Sequence, residues 1–204
     1  MPGPRHPDDG SDALDPEQGG LLHGRSPREV LRRIADGDPL EIGARVEALL
    51  EEDGLLIAAE RVHLRALGQV AYAACARGAP GDLGPWLRQR IAESIESLLR
   101  EDREAERNGD PLPSSPQHFV AMTAAFGVED GLARRASVAF HSLPAPQRRL
   151  VRALVLEGRS LAELAHALGR PLGELRSELR EAVESLERTI GTRLAERLGG
   201  GDRG

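Results

Sequence analysis

Apolar residues in this chain recur at steps of three and four, the period of a helix, and no stretch sustains the alternation a strand needs. The pattern begins at Ser26-Pro27-Arg28-Glu29, a capping box with proline at the first helical position, and Gly37 ends that helix. Asp38-Pro39-Leu40-Glu41 repeats the same logic and predicts a helix closing near Gly54. A long helix is then expected from about Leu55 to Arg77, with Ile57, Val62, Leu64, Leu67, Val70, Ala71 and Ala74 on its apolar positions. Gly78, Pro80, Gly81 and Gly84 break the chain; they surround no lysine and follow no strand, so they predict a turn rather than a nucleotide loop. Another helix starts near Pro85, carries Trp86, Leu87, Ile91, Ile95, Leu98 and Leu99 on one side, and ends in the charged run Arg100-Glu101-Asp102-Arg103. After a Pro- and Ser-rich connector, His118 to Phe126 and Val128 to Ser142 predict two more helices. The expected fold class is all-α.

The densest punctuation lies between Leu143 and Leu186. A helix beginning after Leu143-Pro144 places Leu150, Val151, Leu154 and Val155 at helical spacing and stops at Gly158. A second opens with the capping box Ser160-Leu161-Ala162-Glu163, has Leu161, Leu164, Ala165 and Leu168 as its apolar positions, and ends at Gly169, where a left-handed residue is needed. Pro171 starts a third, at a position where its missing N–H costs nothing. Its expected buried stripe is Leu172, Leu175, Leu179, Val183, Leu186 and Ile190, with Glu174, Ser177, Glu178 and Glu181 opposite. Two helices joined by a short turn, the second longer and facing solvent on one side, form a helix-turn-helix pattern.

These residues (Leu143, Pro144, Arg148, Glu157, Gly158, Ser160, Glu163, Leu164, Ala165, Leu168, Gly169, Pro171 and Gly173) resemble, without insertion, the C-terminal domain of bacterial RNA polymerase sigma factors of the extracytoplasmic-function group. More faintly, Trp86-Leu87, Ile91-Ala92 and Leu99-Arg100 resemble the last helix of that family's core-binding domain, with one extra residue of spacing and no acidic motif upstream. Composition predicts a disordered tail over 1–25, a linker at 108–116 and a loose tail over 191–204, and the resemblance implies a core-binding helical domain over 26–107 and a helix-turn-helix domain over 117–190. The resemblance also implies a protein of transcription initiation that binds core RNA polymerase and promoter DNA, with a regulatory protein as a further partner. Arg176, Ser177 and Arg180 are then the expected third-helix contacts, Arg148, Arg149 and Arg159 contact the phosphate backbone, and Glu174, Glu178 and Glu181 read bases or restrict the site.

Charge complicates that expectation. Between Pro171 and Thr189, five glutamates (Glu174, Glu178, Glu181, Glu184, Glu187) oppose three arginines (Arg176, Arg180, Arg188), and the whole chain carries −6. A glutamate can accept from a cytosine amino group, but affinity for DNA comes mainly from neutralising phosphates. A module that kept this fold and binds protein instead of DNA is therefore the alternative. Outside the third helix lie the pair Arg134-Arg135 and Arg148, Arg149, Arg152 and Arg159; they can position phosphates, or simply lay their stems over the core.

Composition narrows the chemistry further. The 204 residues include no lysine, so phosphate loops ending in Gly-Lys and Schiff-base mechanisms are out of reach. None of the six histidines pairs with another or with the lone Cys75 at zinc spacing, and Ser160 and Glu163 are already spoken for as caps. No catalytic residue, metal or cofactor is expected. One cysteine excludes an internal disulfide and fits the reducing cytoplasm, and Cys75 itself reads as a small core residue. No run is long enough to span a bilayer, so no membrane partner is expected.

Overall fold

The computed structural model describes residues 16–112 and 129–191, and within them every regular element is helical. The first half contains α1 (Pro16–Leu21), α2 (Pro27–Ala35), α3 (Ile42–Glu52), α4 (Ala59–Arg77) and α5 (Leu83–Asn108). The second contains α6 (Asp130–His141) and α7 (Ala145–Val151), which runs on as a π-helical turn over Arg152–Leu156, then α8 (Leu161–Leu168) and α9 (Leu172–Ile190). The helix expected over His118 to Phe126 and residues 113–116 of the connector lie outside the described residues.

Local chemistry accounts for the element ends. The Ser26 hydroxyl accepts from the Glu29 N–H at 3.3 Å, while the Glu29 carboxylate turns back past the N-cap to the Arg25 N–H at 3.0 Å, one residue before the Ser26 N–H that a capping box would engage. At α3 the cap works across a wider turn than expected. Asp38 is left-handed (φ 48°) and its two carboxylate oxygens accept from Ile42 and Gly43, at 2.8 and 2.7 Å. The helix therefore begins at Ile42, not at Pro39. Likewise α4 begins at Ala59 rather than Leu55: Leu55, Leu56 and Ile57 are all buried, but as anchors of an irregular turn. Residues 16–25 also differ from the disordered tail expected there. Pro16–Leu21 is helical, Leu22 is buried, and Arg33 donates to the His23 carbonyl.

The first half closes around α4, which packs on α2, α3 and α5. Its core runs from Leu22 to Leu98 and is built of Leu, Ile, Val and Ala, with Trp86 at its edge. In the second half α9 packs on α6, α7 and α8, and two smaller cores form. One joins Ala133, Ala136, Phe140, Val151, Ala182 and Leu186 among others; the second joins Leu150, Ala153, Leu164 and Leu175. The first of these cores contains one residue from the other half, Leu56. Of the stripe expected on α9, Leu172 is exposed and Ala182 takes part in the core instead.

Candidate functional site

Helix α8 is fixed at both ends, and its C-terminal end forms the turn into α9. Ser160 and Glu163 complete a reciprocal capping box, with Glu163 N–H to Ser160 Oγ at 3.2 Å and Ser160 N–H to Glu163 Oε2 at 2.8 Å. Those bonds hold the Glu163 carboxyl below its ordinary value, because they favour its ionised form. At the far end Gly169 takes φ 61°, and the Arg170 N–H reaches the Ala165 carbonyl at 3.1 Å. Beneath the turn Leu164 meets Leu175, both buried, on a floor of Leu150 and Ala153.

On α9, Glu174, Arg176, Ser177, Arg180 and Glu181 are exposed. Arg176 and Arg180 are one turn apart, with Ser177 beside them, and neither arginine has an ion pair or hydrogen bond among the described residues. Glu178 differs. Arg170, in the turn, donates to it at 2.9 Å and lies 3.7 Å from Glu174, so one guanidinium offsets two of the glutamates expected to face DNA. Nothing in the sequence pattern singled out Arg170; its position four and eight residues before these carboxylates was the available signal.

The expected backbone-contacting arginines separate into two places. Arg159 is exposed, 3.4 Å from Glu157, which also pairs with Arg152 at 2.9 Å. It borders a cleft of roughly 520 Å³ whose floor is Leu150, Ala153, Leu164 and Leu175 and whose rim includes Arg170 and Glu178. Arg148 points elsewhere. It donates to the carbonyls of Asp53 (3.0 Å), His141 (3.2 Å) and Leu143 (2.5 Å), and burial lowers its pKa against the opposing pull of Asp53. Arg149 donates to the Glu52 carbonyl at 3.2 Å. Of the other arginine pair, Arg134 donates to the carbonyls of Gly109 and Asp110, and Arg135 lies 3.4 Å from Glu106.

The structure thus brings Arg176, Ser177, Arg180, Glu174 and Glu181 to one solvent-facing helix, and places Arg148 and Arg149 against the other half. Among the described residues no group of three His, Cys, Asp or Glu side chains could hold a metal ion, and no helix is long and apolar enough to cross a membrane. His63 lies 3.8 Å from Asp38, the residue that caps α3. Comparison with protein-family models, with curated proteins and with solved structures finds no match to this chain.

Proposed function

We propose that this chain is a sigma-factor-like protein of transcription initiation, which binds core RNA polymerase in the cytoplasm and contacts promoter DNA through a helix-turn-helix made by α8 and α9. The observation that carries the reading is the pair of exposed arginines Arg176 and Arg180 on α9, unpaired among the described residues, with Ser177 beside them, on a helix entered through the Gly169 turn at the end of α8, whose start the Ser160–Glu163 box caps. Guanidinium groups at this spacing suit bidentate contact with guanine edges or phosphates, and a serine accepts or donates to either. Arg170 supports the reading from a second direction, since it offsets Glu174 and Glu178.

The test is duplex binding by the full chain across a salt series. Arg176→Ala with Arg180→Ala should weaken binding and flatten the salt dependence by about 0.9 per lost phosphate contact, whereas Glu181→Arg should tighten it. Unchanged affinity in both variants would remove α9 from the DNA.

A second reading has its own support. The five glutamates of α9 outnumber its three arginines, and Arg148 and Arg149 are engaged within the chain. Those features favour a protein-interaction module that regulates transcription without touching DNA. Salt separates the two: phosphate-driven binding falls steeply as salt rises, while an apolar protein interface hardly responds. Stoichiometric co-purification with core polymerase is expected on the first reading.

A further inference from the structure

The end of α3 is a Schellman turn. The Leu55 N–H bonds the Leu50 carbonyl at 2.8 Å, and the N–H of Gly54 (φ 64°) bonds Glu51 at 3.0 Å. With Asp53 N–H on Leu49, the carbonyls of this terminus that remain for other donors are those of Glu52 and Asp53. Arg149 takes the first and Arg148 the second. Cations at a helix C-terminus also oppose its partial negative charge.

The same turn then enters the second half. Leu56 sits in the core of α6, α7 and α9, and its N–H donates to Nε2 of buried His141 at 3.2 Å. Close approach at Gly54 is obligatory: a Cβ there would lie 2.8 Å from Cγ and 2.9 Å from N of Arg149. Two carbonyls, one apolar plug and one backbone donor therefore converge on the segment that carries Arg148 and Arg149.

We propose that the α3–α4 turn is an intramolecular latch that withholds Arg148 and Arg149 from nucleic-acid phosphate. Each N–H spent on these carbonyls is unavailable to a phosphate. Arg148, part-buried on three carbonyls, is withheld more fully than exposed Arg149 on one. Parting of the halves and phosphate contact by these arginines are therefore one coupled equilibrium. Closed, the chain meets nucleic acid with Arg176, Arg180 and Arg159 but without the α7 guanidinium groups bound to the turn; opened, it adds those from α7. The inference rests on the DNA-contacting reading only for the identity of the polyanion.

Two measurements on the full chain test it. The first is hydrogen exchange of the peptide spanning residues 53–58, with and without saturating heparin as the polyanion. By reciprocity heparin should speed exchange at Leu56 by roughly tenfold. The second is the salt at which Gly54→Val, with its helix content checked by circular dichroism, leaves a heparin column. That variant should exchange fast without heparin and elute later than wild type, and adding Arg148→Gln and Arg149→Gln should erase the gain. Protection of residues 53–58 that persists under saturating heparin, or no heparin binding at all, overturns the latch. So does a folded Gly54→Val that opens without binding more tightly. If Gly54→Val does not fold, the wild-type exchange experiment decides alone. Opening by heparin in a protein that binds no duplex DNA at low salt would keep the latch and reject the DNA-contacting reading.

Discussion

Arg148 is the side chain whose surroundings say most about its energetics. Its guanidinium donates to three carbonyls from two segments, the α3–α4 turn and the end of α6, and its stem is half-buried. Burial lowers its pKa, but an arginine stays charged at any physiological pH, so the group is a permanent cation among backbone dipoles. Arg148→Ala leaves the three carbonyls short of a donor and should cost about 2–4 kcal/mol, seen as a lower urea midpoint at unchanged slope. Arg148→Lys should recover less than half of that, because a point charge cannot fork to three acceptors. Glu101 offers a pH-dependent counterpart. The Arg65 hydrogen bond, opposed by partial burial, holds its carboxyl below the ordinary 4.5. A depressed acid contributes stability that is present above 4.5 and lost as pH falls from there through its lower folded value. Glu101→Gln should therefore be less stable than wild type at neutral pH, and urea midpoints of the two should converge in that acid window. Arg148 also shows where sequence reading stops at this scale. Its helix was legible, but its partner in the other half, Asp53, lies 95 positions away, beyond any local pattern.

Among the elements, α8 and α9 were the most legible and α3 and α4 the least, for a physical reason. The ends of α8 are set by bonds within a few residues: Ser160 to Glu163 and back, and Gly169 in the left-handed region. Such signals are written locally. The start of α3 depends on Asp38 reaching over four residues, and Leu55–Ile57 carry helical spacing while serving as anchors between two cores. Periodicity reports that a residue is buried, and it cannot say whether the backbone carrying it is helical. The exposure of Arg176, Ser177 and Arg180 followed from the helix period alone, whereas the pairing of Glu178 with Arg170 needed the turn between the helices. Leu175 joins α9 to α8 and α7 beneath that turn and is buried almost completely. Leu175→Ala should cost about 3 kcal/mol by leaving a cavity the capped turn cannot collapse around. A calorimetric scan showing no drop in melting temperature would mean that α8 and α9 do not depend on this contact.

For the whole molecule the question is whether the two halves unfold as one. Each has its own apolar core, which on its own would allow independent melting. Against that stand Leu56 in the second half's core, the His141 bond to its N–H, and the arginine cap on α3. Leu56 and His141 are buried and join the centre of one core to the end of a helix in the other, and α6 also packs on α5, where Arg134 bonds the Gly109 and Asp110 carbonyls. The sequence marked a connector after Asn108 and so two helical units, but it held no sign of this joint, since nothing local distinguishes Leu56 from its neighbours Leu55 and Ile57. Trp86 reports on the first half alone, while circular dichroism reports on the helices of both. In wild type the two urea curves should coincide, as a single cooperative unit requires. Leu56→Ala removes the plug at a cost of about 3 kcal/mol and should pull the curves apart. The dichroism should fall first as the second half melts, with the Trp86 transition near its original midpoint. Coincident curves in the variant would mean that the arginine cap and the packing of α6 on α5, with Arg134 on the Gly109 and Asp110 carbonyls, suffice to couple the halves, and adding Arg148→Ala would show how much of that the cap carries.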